Sequence, residues 1–268
     1  MKIEESYIRA KNLLNGRLFA PYQREGVLWM LKMENQLSGP KGGFLCDEVG
    51  LGKTVQLVST MLGNPMKRTL IVVPKSIITQ WAQEINKFAP TLSVCVFDGP
   101  QRKLMECDVV IAPYSLLSTE EPTPIHTYIW DRVILDEAHT IRSKRSRIFK
   151  SVCSLKTDIK WIVTGTPVFN SMDDFVSLCV FLGFPKSITQ GRMDDIKNIY
   201  ILRRTKDDLS KINERLALPA CHFENVELDM FPDERQLYEL VFKEGQDTIK
   251  DAFRHAMSNN AKNMVILE

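Results

Sequence analysis

The chain has 268 residues, 44% hydrophobic and 25% charged, and 35 basic against 33 acidic side chains leave a net charge of +2. That length can bury the core of one large α/β domain or two smaller ones, and the near-neutral balance excludes bulk charge as a basis for polyanion binding, so any nucleic-acid surface must be a local patch. The cysteines at 46, 95, 107, 153, 179 and 221 form no C-x-x-C pair, the N-terminus is charged, and no apolar run approaches a membrane span, which points to free thiols in a reducing intracellular compartment, no structural metal and no membrane.

In chain order, short apolar runs alternate with helical patterns. "GGFLCDE" (42–48) precedes "KTVQLVSTML", "RTLIVVP" (68–74) precedes "SIITQWAQEINKFA", and "LSVCVFDG" (92–99) leads through "PQRKLME" to "DVVIAP" (108–113). "DRVILDE" (131–137) and "IKWIVTGT" (159–166) continue the series, each followed by a helical pattern. The runs are almost wholly apolar, which suits parallel strands covered on both faces, and repeated βα units predict an open, twisted, mostly parallel sheet with helices on both faces. Beyond about residue 185 the texture changes. The alternation over 222–230 reads as an edge strand, and Pro232-Asp233-Glu234 opens a long helix with an acidic first turn. That helix runs to "NMVILE" with no capping residue, so the chain is expected to continue beyond Glu268.

Ligands of open parallel sheets bind beyond the carboxyl ends of the strands, and three clusters fall there. The first, "DEVGLGKT" (47–54), ends as a phosphate loop does but has Asp47 where the common pattern has glycine. Gly50 and Gly52 offer backbone freedom near phosphates, Lys53 a point charge and Thr54 a hydroxyl for magnesium; Asp47 is tolerable in the turn because aspartate enters the left-handed region more readily than most residues. A surface Gly-Lys-Thr turn is the bland alternative. In the second cluster, "DEAH" (136–139), Asp136 closes an apolar strand where a lone carboxylate is costly unless it serves a cation, and Glu137 is placed to polarise a water. The alternative is an acidic pair at a helix N-terminus. His139 is a switch candidate by position. In the third, Thr164-Gly165-Thr166, the hydroxyls lie beside the same edge, or merely cap a turn.

Taken together, "LFAPYQREGVLWM" (18–30), "GFLCDEVGLGKT" (43–54), "LIVVPKSIITQWAQEINKFAP" (70–90), "DVVIAPYSLL" (108–117), "ILDEAHTIRSKRSRIFK" (134–150), "WIVTGTPVFN" (161–170) and "YILRRTKDDL" (200–209) resemble, in order, the motifs of the first RecA-like lobe of Swi/Snf-type double-stranded-DNA translocases of helicase superfamily two. The resemblance runs from about residue 17 to the end. It implies a RecA-like (P-loop NTPase) α/β fold with an N-terminal extension (1–16), an ATP-binding lobe (17–230) and a helix (231–268) leading towards a second lobe that this chain lacks. In that family the loop's leading residue is normally aspartate.

The resemblance also assigns roles. ATP would be held by Gln23 at the adenine edge, with Tyr22 or Arg24 nearby, and by Asp47, Gly50, Leu51, Gly52, Lys53 and Thr54. Thr54 and Asp136 would serve magnesium, partly through water, and Lys53, Asp136 and Glu137 would carry catalysis. His139, Thr164 and Thr166 would couple hydrolysis to grip on duplex DNA. Lys75, Ser76, Tyr114 and Ser115 would line or support the strand-tracking groove. Trp81, in the same stretch, reads as a core aromatic. The run 142–147 would touch phosphates or form a solvated charged face, and Arg203 and Arg204 would touch DNA or salt-bridge within the lobe. Phe169 departs from the family's usual glutamine, and the short spacer before "LRRTK" implies a reduced helical insertion. The implied activity is ATP hydrolysis coupled to movement on duplex DNA. The alternatives are a strand-separating DNA or RNA helicase and a catalytically silent docking lobe. Nucleus, cytoplasm, viral factory and virion are not distinguished by the sequence.

Overall fold

All six apolar runs become strands in the computed structural model, which describes residues 3–18, 20–118, 123–141, 146–165, 172–210 and 222–264. In chain order the elements are α1 (Ile3–Leu13), α2 (Pro21–Glu34), β1 (Lys41–Leu45), α3 (Lys53–Gly63), β2 (Thr69–Val73), α4 (Ile78–Phe88), β3 (Val94–Val96), β4 (Val109–Pro113), α5 (Pro124–Thr127), β5 (Arg132–Asp136), α6 (Arg147–Cys153) and β6 (Ile159–Val163). They continue with α7 (Met172–Leu182), α8 (Lys186–Gly191), α9 (Met193–Tyr200), β7 (Ile201–Leu202), α10 (Lys206–Ser210) and α11 (Pro232–Met264). Short 3-10 turns follow β2 (Lys75–Ile77), β4 (Tyr114–Leu117) and β5 (Ala138–Ile141).

The seven strands make one sheet in the order β3-β4-β2-β5-β6-β1-β7, and every pairing is parallel. Parallel neighbours require crossovers, which helices supply except between β3 and β4, where residues 97–108 cross without one. Every residue of β2, β4 and β5 is buried, so these central strands are covered on both faces, and that is why their sequences do not alternate. Trp161, Phe44, Ile71, Ile134 and Val72 lie in the core. Helix α1 occupies the stretch read as an extension and packs against α3.

The chain divides into two compact units, Met1–Leu218 and Pro219–Glu268. In the second unit, residues 222–231 form no strand, which corrects the reading of 222–230 as an edge strand. Alternation marks a half-buried strand only where one face finds a core, and Phe223, Val226 and Leu228 are all exposed. The sheet ends at β7 on the β1 side and at β3 on the other. The expected long helix is present as α11.

Candidate active site

Strand register sets the site. Val163 pairs with Leu45 on one side and with Asp136 on the other. The loop leaving β1 and the carboxylate ending β5 therefore start level with one strand between them, roughly 10 Å across the sheet. A cavity of about 540 Å³ opens there, and Lys53, Thr54, Gly52, Gln23, Asp136 and Glu137 are among the residues lining it.

The loop has the backbone geometry of an anion cradle. Gly50 (φ 91°) and Gly52 (φ 78°) are left-handed, a conformation that costs glycine little. A Cβ at Gly52 would stand 2.5 Å from Gln23 Nε2. Gly52 caps α3, and Lys53 is the first residue of that helix, so unpaired N–H groups and the positive end of the helix dipole face the cavity. Lys53 Nζ donates to the carbonyls of Asp47 (2.8 Å) and Glu48 (3.4 Å). Burial lowers its pKa, and the charges of Asp136, Glu137 and Asp47 work against that shift. Gly165 keeps the space open: a Cβ there would lie 2.6 Å from Val49 Cγ2 and 3.3 Å from Lys53 Nζ.

Asp136 is nearly buried. Its Oδ2 accepts from Trp81 Nε1 at 2.7 Å and its Oδ1 from the Glu137 backbone N–H at 3.0 Å. Loss of solvation raises its pKa, and the Trp81 hydrogen bond opposes the rise. Glu137 has φ 50° and is the only non-glycine residue in the left-handed region among the described residues. Such a backbone costs on the order of 1–3 kcal/mol, and it falls on the residue whose N–H is bonded to the Asp136 carboxylate. Tyr114 Oη donates to the Asp136 carbonyl at 2.8 Å.

Asp47 is not left-handed, so the conformational explanation for this residue is replaced by a different one. Its carboxylate is buried and gripped by Arg204: Nε donates to Oδ1 at 2.9 Å and Nη2 donates to Oδ2, while Gln56 Nε2 donates to Oδ2 at 3.0 Å. Arg204 also donates to Gln56 Oε1 (2.9 Å) and to the Tyr22 carbonyl. Asp47 thus presents its main-chain carbonyl, not its carboxylate, towards Lys53. Arg204 forms an ion pair within the lobe, one of its two expected uses.

The remaining candidates divide. Gln23 is buried and its Nε2 donates to the Leu51 carbonyl at 3.2 Å, as does Tyr22 Oη at 3.1 Å. Leu51 is a core residue that contributes only its backbone to this contact. Thr164 is buried beyond the end of β6, where its N–H donates to the Leu45 carbonyl at 3.2 Å. Lys75, Ser76 and Ser115 are exposed, and Lys75 Nζ lies 3.5 Å from Asp98 Oδ2. The Tyr114 ring is buried. Thr166, Phe169 and residues 142–145 lie outside the described residues, as does the side chain of His139. Two features escaped the sequence reading: the use of Trp81 as a donor to Asp136, and the α4 wall of the cavity, with Gln80, Glu84 and Phe88. The i, i+4, i+8 spacing of Gln80, Glu84 and Phe88 puts them on one helix face, a signal available in the sequence.

A parallel sheet with a Gly-Lys-Thr loop opening a helix on one strand, and an Asp-Glu pair two strands away over the same cavity, defines a RecA-like nucleotide-binding lobe. Residues 22–191 match the SNF2-related domain, and the chain belongs to that family. It is 30% identical to the ISWI chromatin-remodeling complex ATPase ISW1 of Saccharomyces cerevisiae over 80% of this chain and 20% of that protein. It is also 30% identical to an uncharacterised ATP-dependent helicase of Schizosaccharomyces pombe over 81% of this chain and 26% of that one. Among solved structures it is similar to the Sulfolobus solfataricus SWI2/SNF2 ATPase core in complex with dsDNA (30% identity, TM-score 0.65, covering 75% of this chain and 47% of that one). The Sulfolobus solfataricus SWI2/SNF2 ATPase core domain matches as well, with 29% identity and TM-score 0.65, over 87% of this chain and 52% of the other. The chain therefore spans about a fifth to a quarter of these curated relatives and about half of the solved cores. No helix among the described residues is long and apolar enough to cross a membrane.

Proposed function

We propose that this chain is the ATP-binding lobe of a DNA-dependent ATPase that couples hydrolysis to movement along duplex DNA. The observation that carries the reading is that Lys53 and the Asp136–Glu137 pair line one cavity at the carboxyl rim of the sheet. The triphosphate lies along the loop, on the N–H groups of residues 50–54 and on Lys53, where a helix N-terminus favours anions. Glu137 orients and deprotonates the attacking water. Gln23, on α2 at the cavity wall, supports recognition of the adenine edge.

Magnesium fits the donors present. Thr54 and Asp136 offer oxygen only, and Asp136 is a buried carboxylate whose hydrogen-bond donors, among the described residues, are neutral groups, which suits a hard cation that keeps several waters. Bound there, magnesium would neutralise charge on the β- and γ-phosphates. Trp81 and the Glu137 N–H hold the carboxylate that would receive it.

Duplex DNA is the partner named for the Sulfolobus core, and it supports the same partner here. Lys75, Ser76 and Ser115 form the solvent-facing part of the contact, which is directed mainly to phosphates and is therefore salt-sensitive and weakly sequence-specific. His139, Thr164 and Thr166 link the nucleotide to that grip. A second RecA-like lobe closes over the nucleotide and supplies the arginine that speeds phosphoryl transfer, worth about 10³–10⁵ in rate in related enzymes. Alone, the 268 residues are expected to bind ATP with little turnover. The described cysteines are all free, which supports a reducing intracellular setting.

The test uses the full-length protein. ATP hydrolysis is measured with and without duplex DNA, together with displacement of a triplex-forming strand and unwinding of a plain duplex. Stimulation and triplex displacement without unwinding are expected. Unwinding would favour the strand-separating reading, which the "helicase" in the relative's name keeps in view. Nucleotide binding with no hydrolysis under any condition would favour a docking lobe.

A further inference from the structure

The two segments read as facing DNA are the turns that follow β2 and β4, and each is attached to a buried aromatic donor. The turn Lys75–Ile77 runs directly into α4, and Trp81 lies one turn into that helix. Tyr114 opens the turn Tyr114–Leu117 beside exposed Ser115. Both rings are buried, and both end on the same residue: Trp81 Nε1 on the Asp136 carboxylate at 2.7 Å, Tyr114 Oη on the Asp136 carbonyl at 2.8 Å. Strand order is consistent with the convergence: β2 adjoins β5 and β4 lies one strand farther out, so the turn after β2 rises beside the end of β5 and the Tyr114 ring reaches across from the next strand.

Each ring has two rotatable side-chain bonds and sits in a close-packed core, so displacement of its turn moves the donor atom instead of being absorbed. A hydrogen bond to a carboxylate is short and directional, and the bond to a carbonyl is weaker. Building on the function proposed above, we infer that Trp81 and Tyr114 are positioning residues that transmit occupancy of the DNA-facing turns to Asp136, and that DNA stimulation of hydrolysis travels through these two hydrogen bonds. Trp81 also borders the cavity, but in this scheme it acts through its hydrogen bond to Asp136, and Tyr114 touches neither DNA nor nucleotide. DNA phosphates on Lys75, Ser76 and Ser115 fix the turns, the turns fix the two rings, and the rings hold the Asp136 carboxylate and its main chain in the orientation hydrolysis requires. Glu137 follows, because its N–H is bonded to the same carboxylate.

The experiment compares wild type, Trp81→Phe and Tyr114→Phe in the full-length protein. The quantity read is the ratio of the ATPase rate at saturating duplex DNA to the rate without DNA, at saturating ATP and magnesium. Trp81→Phe is expected to lower that ratio about tenfold, because the lost bond is to a charged group. Tyr114→Phe is expected to lower it about threefold, the lost acceptor being a neutral carbonyl. The DNA concentration giving half-maximal stimulation stays near the wild-type value for both. A purely structural role would move the unfolding midpoint and leave the ratio alone. Adding duplex DNA without nucleotide should also change tryptophan emission more in wild type than in Trp81→Phe, which keeps Trp29, Trp130 and Trp161. If Trp81→Phe does not fold, Tyr114→Phe, which removes one hydroxyl and keeps the ring, decides the matter. Variants that fold and keep the wild-type ratio overturn the inference and leave the proposed function standing. A wild-type enzyme that duplex DNA does not stimulate overturns both.

Discussion

Strand β5 is five residues long and carries a buried charge at each end, Arg132 at its start and Asp136 at its finish. The two ends are treated differently. At the base, Arg132 donates from Nε to Glu34 Oε1 at 2.6 Å and from Nη2 to Glu34 Oε2, and further to the Asn64 carbonyl (2.9 Å) and Thr69 Oγ1 (3.3 Å). Glu34 is completed by Trp161 Nε1 at 2.9 Å and Asn64 Nδ2 at 2.7 Å. Charge is answered by charge, and the site is closed. At the rim, Asp136 receives a tryptophan and a backbone N–H, both neutral, and burial still pushes its pKa up. The charge of Lys53 opposes the rise without cancelling it, and in the function proposed above a bound cation completes the compensation. The same fold element thus contributes stability at one end and unmet electrostatic demand at the other, and the second is what a binding site consists of.

The comparison breaks most visibly at the base. Arg132→Met leaves Glu34 buried without its cation and is expected to cost about 3–5 kcal/mol, read as a fall in the urea midpoint. The double variant Glu34→Gln, Arg132→Met should recover part of the loss, since the stranded charge is then gone. At the rim, Lys53→Ala is expected to lower the ATPase rate of the full-length protein by about 10²–10³ with little change in the unfolding midpoint. A Lys53→Ala variant as unstable as Arg132→Met would erase the distinction between the two ends.

Arg204 tests the ground between them. It braces the phosphate loop through buried Asp47, yet its own side chain is 13% exposed. Lysine keeps the charge but cannot fork across Oδ1, Oδ2 and Gln56 Oε1. Arg204→Lys should therefore cost about 1–3 kcal/mol and also raise the KM for ATP, combining both signatures at smaller size. A loss of stability with an unchanged KM would make the brace purely structural.

This brace also marks where sequence reading stops. The six main strands and the loop, Asp-Glu and threonine clusters are local: continuous apolar runs and short motifs report them directly, and register brings Lys53, Asp136 and Glu137 to one cavity. Strand β7 is two residues long and offers no pattern, while the alternation at 222–230 offers a pattern with no core to receive it. The partner of Asp47 is 157 residues away, so local propensity supplied the wrong reason for that residue. Trp81 reads correctly as buried, but which polar atom its indole N–H meets depends on β2 and β5 being neighbours. Tyr114 reads as part of the DNA-facing stretch, and the fold keeps Ser115 at the surface while turning the ring inward.

The smallest effect expected separates burial from function at the rim itself. Cys46 immediately precedes Asp47, and Cys179 lies on α7 in the core. Burial pushes both thiols up to about 12, and at Cys46 the Asp47 charge adds to the rise while Lys53 opposes it. A folded pKa above the unfolded value of 9.0 favours the protonated thiol, so this contribution to stability is fully present below about pH 9 and is lost as pH rises towards 12. At pH 8 the thiolate fraction is negligible, and iodoacetamide should leave both cysteines unmodified in native protein while labelling them after denaturation. Lys53→Ala removes the charge that lowers the Cys46 pKa, so native Cys46 should become no more reactive in that variant. Faster labelling of Cys46 in native Lys53→Ala would mean that the lysine supports the loop's packing as well as its charge, and the separation between a stabilising base and a chemical rim would be less clean than β5 suggests.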